Sequence, residues 1–213
     1  MLVRDIMTKN VITITSDTYV LDAERIMDQN RIGRLPVVDD GKLVGIVTRN
    51  DVLKASPTST TPTNQRHLFY LMSKLTVKEI MKTKILKISP DTPIEKAIAV
   101  AQKNKVGSLP VVEEDKVVGI LTTNDVFYKI LNPLFGIGQK GSRIVIHGAG
   151  KVDMMQEILE FIRKTGLGVK TYWIPPSDDR QDLFLHINIE DATQIIEELR
   201  GRGYSVEKRE FSV

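Results

Sequence analysis

The heptapeptide GIVTRND at residues 45–51 occurs a second time, with two substitutions, as GILTTND at residues 119–125. In each copy a short apolar run leads to a threonine and an aspartate three residues apart, which is a capping-box pattern at the start of a helix. An aspartate at a helix N-terminus can also accept hydrogen bonds from the vicinal hydroxyls of a ribose. The pattern by itself therefore leaves two interpretations open, helix capping and ligand binding.

Both heptapeptides belong to a longer repeat with an offset of 74 residues. Residues 3–53 align with residues 77–127 without a gap, and 21 of the 51 aligned pairs are identical. Two copies followed by an unrelated tail indicate a pair of packed modules, because a solenoid needs about three repeats or more. We therefore predict one module at residues 1–54, a second at residues 77–131, and a pseudo-two-fold relation between them.

Each copy shows the pattern of a β-α-β-β-α unit. In the first copy, VITI at residues 11–14 is a β-branched run, and the apolar positions of YVLDAERIMDQNRI follow helical spacing. LPVVD and KLVGIVT are two short strands separated by a DDG turn, and a helix begins after Thr48. The second copy repeats this order with ILKI, PIEKAIAVAQKNKV, LPVVE, KVVGILT and NDVFYKIL. The two modules are therefore predicted to have a mixed α/β (α+β) fold.

The rest of the chain is predicted to be two linkers and a third domain. Residues 55–76 are rich in Ser, Thr and Pro at first and then contain a short apolar helix, RHLFYLMSKL, and residues 132–142 form a second, glycine-rich linker. The hydrophobic pattern of residues 143–213 predicts the element order β-α-β-β-α-β, which is the ferredoxin-like order. The alternation in DLFLHINI predicts a sheet with helices on one face and the other face free to meet a partner.

The composition excludes several classes of function. The 213 residues contain no cysteine, which excludes thiol chemistry, and no apolar run approaches the roughly 18 residues of a membrane span. The net charge of +3 is spread without a basic run, so nucleic-acid binding is not indicated. The three histidines are isolated from one another, so we predict no metal site. The N-terminus does not resemble a secretory signal, and a cytoplasmic protein is expected.

The phrases RIGRLPVVDDGKLVGIVTRND and KVGSLPVVEEDKVVGILTTND resemble two CBS domains, over residues 1 to about 131. The resemblance implies an intramolecular pair with two clefts that bind adenosyl ligands such as AMP, ADP, ATP or S-adenosylmethionine. It also implies that the motif aspartate binds the ribose, that the threonine lies at the ribose or phosphate, and that a segment near the module start faces the adenine.

The candidate ligand-binding residues follow from this resemblance. The motif residues are Thr48, Asn50 and Asp51 for one cleft and Thr122, Asn124 and Asp125 for the other. The segments expected against the base are Val11, Ile12 and Thr13, and Ile85, Leu86 and Lys87. The cations near the motifs that could meet a phosphate, or else be solvated surface charges, are Arg31, Arg34, Arg49 and Lys105. Because the second copy has Ser108 and Thr123 where the first has Arg34 and Arg49, we expect the first cleft to bind a polyphosphate better.

The C-terminal domain resembles an ACT domain, and the whole order is similar to that of the acetoin utilisation protein AcuB family. The amides of Gly148 and Gly150 could bind the carboxylate of an amino acid at a subunit interface, or the glycines only redirect the chain. The resemblance implies an energy-sensing regulatory protein without catalytic activity or a catalytic cofactor. Its expected partners are an adenosyl ligand, a second copy in a homodimer, and an unidentified protein.

Two alternatives remain at the level of the sequence. One is an enzyme or accessory factor of acetoin catabolism with vestigial nucleotide clefts, and the other is a purely structural dimer. No combination of base, nucleophile and metal ligands supports an enzyme. The retention of Asp and Thr in both copies argues against vestigial clefts.

Overall fold

The computed structural model describes residues 1–55, 73–176 and 181–209. The chain divides into two compact units, Met1–Asp125 and Val126–Val213. The predicted linker at residues 55–76, with its short helix, falls mostly outside the described residues.

The first module is a β-hairpin flanked by helices. Its elements are α1 (Val3–Ile6), α2 (Val20–Gln29), β1 (Arg34–Asp39), β2 (Lys42–Thr48) and α3 (Arg49–Ala55). Strands β1 and β2 are antiparallel, with a bulge between Val37 and Val38. The two-residue turn between them is Asp40-Gly41, and both residues have positive φ angles of 51° and 76°. Such Asp-Gly turns match the twist of the strands that they connect, so the sequence sets this register.

The second module repeats the first. Its elements are α4 (Val77–Ile80), α5 (Ile94–Lys103), β3 (Ser108–Glu113), β4 (Lys116–Thr122) and α6 (Thr123–Val126). Its hairpin has the same register, with a bulge between Val111 and Val112. The prediction of two mixed α/β modules of like order is confirmed.

The prediction of extended strands at residues 11–14 and 85–88 is wrong. Each segment makes one parallel bridge, Ile14 with Val37 and Ile88 with Val111. Ile14 N–H donates to the Pro36 carbonyl at 3.1 Å, and Val38 N–H donates to the Ile14 carbonyl at 2.8 Å. Because Pro36 has no N–H, the ladder cannot continue towards residue 12, and Pro110 ends the second ladder in the same way.

The two modules exchange contacts in a way that follows the repeat. Ile46 of β2 bridges Lys82 of the second module, and Thr8 of the first module bridges Ile120 of β4. The two bridges are related by the 74-residue offset, as expected for a pseudo-two-fold pair. Val77 is fully buried in the apolar cluster of the first module. The two modules therefore pack against each other within one compact unit.

The second unit contains the predicted β-α-β-β-α-β order. It begins with a π-helical turn (Phe127–Leu131) and a short helix α7 (Asn132–Leu134). Its remaining elements are β5 (Ser142–Ile146), α8 (Val152–Lys164), β6 (Val169–Trp173), β7 (Leu183–Ile187), α9 (Thr193–Gly201) and β8 (Val206–Arg209). The four strands form an antiparallel sheet in the order β6-β7-β5-β8. One sheet face packs on α8 and α9 through a core of buried aliphatic side chains.

The opposite sheet face is partly covered, whereas the sequence predicted it to be free. The Phe135 ring packs edge-on to Trp173 with ring centroids 5.0 Å apart. Thr171 Oγ1 donates to the Leu134 carbonyl at 3.0 Å, and Arg143 Nε donates to the Phe135 carbonyl at 2.9 Å. The segment predicted as a linker at residues 132–142 is thus docked on the sheet, because its carbonyl groups meet side-chain donors there.

Candidate functional site

The carboxylate of Asp51 has two oxygens with different surroundings. Oδ2 accepts from the backbone N–H of Thr48 at 2.9 Å and from its hydroxyl at 2.5 Å. The Asp51 N–H in turn lies 3.3 Å from Thr48 Oγ1, which completes a capping box at the start of α3. Oδ1 lies 3.5 Å from the ammonium of Lys82. One oxygen caps the helix, and the other faces a cation from the second module.

Asp125 repeats this division of roles at the start of α6. Its Oδ2 accepts from the backbone N–H of Thr122 at 2.8 Å and from its hydroxyl at 2.6 Å. Its Oδ1 accepts from the hydroxyl of Thr8 at 3.0 Å. Thr8 is the counterpart of Lys82 at the 74-residue offset, so the two acids differ in the group that meets Oδ1. Capping is therefore present at both motifs and leaves one carboxylate oxygen directed elsewhere.

A cavity of about 470 Å³ opens beside Asp51. Its volume lies within the range of about 300–1,000 Å³ that is common for small-molecule sites. The described residues that line it come from the start of β1, from β2 and α3, and from two segments of the second module. They are Gly33, Arg34, Ile46, Thr48, Arg49, Asn50, Asp51, Lys54, Lys82, Lys84, Ile85, Leu86, Lys105, Val106, Gly107, Ser108 and Pro110. We call this cavity the first cleft.

The first cleft is built across the two modules. The backbone of Lys82 pairs with that of Ile46 through two hydrogen bonds of 2.9 and 3.0 Å, which brings residues 82–86 beside the end of β2. Gly107 lies against the guanidinium of Arg34, and a Cβ at this position would lie 3.3 Å from Arg34 Nη1. Burial lowers the pKa of Arg34 from its usual range. Residues of both modules thus form the wall of the first cleft around the motif of the first copy.

Several predicted residues are brought together in this cleft. Thr48, Asn50, Asp51, Ile85 and Leu86 all line it, so the motif of the first copy meets the base-side segment of the second. The predicted cations Arg34, Arg49 and Lys105 line it as well.

Arg49 also has partners within its own module. Its guanidinium donates to Asp28 at 2.6 Å and to the Ile32 carbonyl at 3.4 Å. Arg49 is therefore held beside the cleft by α2, and its charge is partly balanced there.

Two predicted residues lie elsewhere than expected. Lys87 is absent from the described lining of the first cleft, and its ammonium pairs with exposed Asp115 at 3.2 Å. Ser108 lines the first cleft together with its own counterpart Arg34. The Arg34/Ser108 difference therefore does not distinguish the two clefts, because both residues lie at the junction of the modules.

The candidates for the second cleft occupy the equivalent positions. The backbone of Thr8 pairs with Ile120 through hydrogen bonds of 3.0 and 2.9 Å, as Lys82 pairs with Ile46. This pairing joins Thr8, which precedes Val11, Ile12 and Thr13 in the chain, to β4, which is followed by Asn124 and Asp125 and ends at Thr122. Arg31, the counterpart of Lys105, is exposed with a φ of 53°.

Sequence reasoning missed three lysines of the first cleft, Lys54, Lys82 and Lys84. The first lies one turn after the motif, and the other two precede the predicted base-side segment. Their counterparts Tyr128, Thr8 and Asn10 are neutral. An alignment of the two copies could have revealed this difference, but only with the knowledge that each cleft combines segments of both modules.

Two backbone N–H groups of the glycine-rich turn in the second unit donate hydrogen bonds to residues of the same unit. Gly148 N–H donates to Asp182 Oδ1 at 2.9 Å, and Gly150 N–H donates to the Gln181 carbonyl at 2.5 Å. The prediction that these amides bind an amino-acid carboxylate is therefore not supported by their geometry. Asp182 also pairs with His147 at 3.1 Å, which ties the end of β5 to the residues before β7.

Two other predictions concern metal ions and membranes. Within residues 1–55, 73–176 and 181–209, no group of three or more His, Asp or Glu side chains is arranged to hold a metal ion. None of the helices in the same ranges has the length and apolar character to cross a bilayer.

The CBS domain family matches the chain at residues 3–58 and 77–132. An L-aspartate semialdehyde sulfurtransferase of Methanocaldococcus jannaschii is 33% identical over 127 residues. That match covers 59% of this chain but only 22% of the enzyme, so the similarity extends to less than a quarter of the relative.

Two solved structures resemble the first unit. A protein from Vibrio cholerae described as an acetoin utilization protein (AcuB) has a TM-score of 0.53 and 31% identity, covering 62% of this chain and 91% of its own. The complex of CBSX2 with AMP has a TM-score of 0.51 and 32% identity, covering 62% of this chain and 97% of its own.

Proposed function

Because the chain belongs to the CBS domain family, we propose that its first unit is a regulatory module that binds an adenosyl ligand. The observation that carries this proposal is the division of roles within Asp51. Oδ2 caps α3, Oδ1 lies 3.5 Å from the Lys82 ammonium, and both residues line a cavity of about 470 Å³ that is built from both modules. A carboxylate that is fixed by a cap, keeps a second oxygen outside the cap and lines a cavity suits the vicinal hydroxyls of a ribose.

The remaining parts of the ligand have matching groups in the first cleft. Ile85, Leu86 and Val106 supply apolar surface for a base. Lys54, Lys82 and Lys84 supply positive charge for phosphate. A base, a ribose and an anion are the parts of an adenine nucleotide, and CBSX2, which resembles this unit, forms a complex with AMP.

Regulation would act through the relation between the modules. Because the first cleft takes its lining from both of them, a bound nucleotide contacts both and favours the arrangement that it fits best. The ligand state is then passed to a partner protein, and the second unit serves as an ACT-like dimerisation domain. The protein itself carries out no reaction in this proposal.

A role in acetoin use is the second candidate. The similarity of the first unit to the Vibrio cholerae protein described as an acetoin utilization protein favours it. In that role the chain would be an accessory factor of acetoin catabolism. The two candidates differ in whether an adenosyl ligand is bound.

Thermal unfolding with and without AMP, ADP, ATP and S-adenosylmethionine tests the proposal. A ligand present at about 100 times its dissociation constant stabilises the protein by about 2.7 kcal/mol. We expect a rise in the melting temperature with at least one of the four ligands. The absence of any shift at millimolar concentration would reject adenosyl binding and leave the accessory role.

A further inference from the structure

We infer that the first cleft selects adenosine nucleotides with a phosphate chain, whereas the second cleft accepts adenosyl ligands without one. This inference rests on the proposed function and assigns a ligand class to each cleft. It is carried by the charges of the residues that line the first cleft and by their counterparts at the 74-residue offset.

The described residues that line the first cleft include six cationic side chains and one carboxylate, that of Asp51. The cations are Arg34, Arg49, Lys54, Lys82, Lys84 and Lys105. Arg34 lines the cleft together with its counterpart Ser108, so this pair does not distinguish the clefts. Lys105 corresponds to Arg31, which keeps the charge.

The other four cations have neutral counterparts in the second copy. Arg49, Lys54, Lys82 and Lys84 correspond to Thr123, Tyr128, Thr8 and Asn10, respectively. The sequence repeat has thus kept the motif aspartate in both copies, whereas four of the six cations of the first cleft are present in one copy only. Unbalanced positive charge in a concave site attracts anionic ligands.

Lys82 adds a second reason for selection. Its ammonium lies 3.5 Å from Asp51 Oδ1, the oxygen that a ribose would use. A ribose must displace this ammonium, which then loses its partner unless the ligand brings another anion. A phosphate group provides that anion, and adenosine does not.

In the second cleft the same position holds a hydroxyl. Thr8 donates to Asp125 Oδ1 at 3.0 Å. A ribose hydroxyl can replace this neutral donor without leaving a charge unpaired, so a ligand without phosphate has no comparable cost there.

The test replaces lysines of the first cleft with the residues that the other copy has at the equivalent positions. The double variant Lys82→Thr, Lys84→Asn places the second-cleft residues in the first cleft. Lys82 has 63% of its side chain exposed, and Lys84 is also exposed, so the variant should fold. ATP and adenosine are the probes, with affinity and stoichiometry measured by isothermal titration calorimetry.

We expect the double variant to bind ATP about 10-fold to 100-fold more weakly at the first cleft, which corresponds to the free energy of one hydrogen bond to a charged group. Adenosine binding should be unchanged or stronger. The matched control is Lys96→Thr, Lys103→Asn, which makes the same substitutions on the exposed surface of α5, away from the described lining of the first cleft. It should keep the ATP affinity of the unmodified protein.

The reciprocal variant Thr8→Lys, Asn10→Lys should create a second tight ATP site. Equal loss of ATP affinity in the cleft variant and the surface control would overturn the inference, since net charge would then be the cause. Equal affinity of ATP and adenosine for both clefts would also overturn it, while adenosyl binding itself would stand. If neither probe nor any other adenosyl ligand binds the unmodified protein, the proposed function fails first.

Discussion

The ammonium nitrogen of Lys82 lies 3.5 Å from Asp51 Oδ1, and the two side chains are 63% and 10% exposed, respectively. The acid is fixed by its cap, whereas the lysine is largely in solvent. An ion pair with one largely exposed member contributes about 1 kcal/mol to stability, so a ligand can displace the lysine at a modest cost, which a phosphate offsets by giving the ammonium a new partner. In the proposed function, the pair is a fixed acceptor for ribose hydroxyls beside a cation that a ligand can displace.

Asp51→Asn should separate ligand binding from helix capping. The amide oxygen can still accept from Thr48, so we expect the free energy of unfolding to change by less than about 1 kcal/mol. The carboxylate oxygen outside the cap is lost, and nucleotide binding at this cleft should weaken by about 10-fold to 100-fold. Calorimetry with ATP and urea unfolding measure the two effects.

Thr48→Val is the matched control for that prediction. It removes the hydroxyl that donates to Asp51 Oδ2 at 2.5 Å but keeps the carboxylate. We expect a loss of about 1 kcal/mol in stability, as for other cap residues. If Asp51→Asn lowers stability and leaves the ATP affinity intact, capping is the main role of this acid.

The sequence was sufficient to predict the repeat, the capping boxes, the helix, hairpin and helix of each module, and the element order of the second unit. These features depend on local signals, such as the Thr-x-x-Asp spacing, the Asp40-Gly41 turn and the periodicity of the helices. Where the sequence prediction failed, at residues 11–14 and 85–88, the cause lies in the partner strand. Pro36 on the neighbouring strand cannot donate the hydrogen bond that would extend the ladder.

The composition of the first cleft could not be predicted from local signals. The 74-residue period shows which residues are equivalent but not which module supplies each wall. Lys82 and Lys84 line the cleft beside Asp51 because the backbone of Lys82 pairs with that of Ile46. Ser108 also lines the first cleft, which removes the asymmetry that the sequence had assigned to it.

Thr8→Val should destabilise the first unit more than Lys82→Ala does. Thr8 donates to Asp125, which is only 5% exposed, and a buried carboxylate that loses a donor costs about 1–3 kcal/mol. Lys82 is exposed, and its removal should change the stability by less than about 1 kcal/mol. Urea unfolding of the two variants checks the order, and equal effects would contradict it.

Gly119→Ala should destabilise the first unit more than Gly45→Ala. A Cβ at Gly45 would overlap the Met81 sulfur, and the nearest atoms all belong to that side chain. A Cβ at Gly119 would overlap the Met7 sulfur and would also lie 3.1 Å from the Thr8 carbonyl oxygen. A methionine can change rotamer, but the backbone cannot easily retreat.

We expect a loss of about 1–3 kcal/mol for Gly119→Ala and a smaller loss for Gly45→Ala. Adding Met81→Ala to the Gly45 variant should relieve the overlap there. Urea midpoints of the three variants test this, and the reverse order of the two glycine effects would show that the modules do not meet as described.

The stability of the second unit should decrease as the pH falls below about 6.5. His186 is only 3% exposed, and its Nε2 lies 3.0 Å from the Lys140 carbonyl, which can only accept, so this nitrogen carries the proton of a neutral ring. Burial lowers the pKa of His186, and the nearby cations Arg143 and Lys170 lower it further.

Since the unfolded chain titrates near pH 6.5, the unfolded state binds more protons than the folded state between that pH and the lower folded pKa. The contribution of His186 to stability is therefore complete above about pH 6.5 and is lost as the pH falls through this window. Titration of the ring by NMR and urea unfolding at pH 7.5 and 5 measure the effect. His186→Gln, which keeps a donor for Lys140, should reduce the pH dependence, and a ring pKa at or above 6.5 would contradict the prediction.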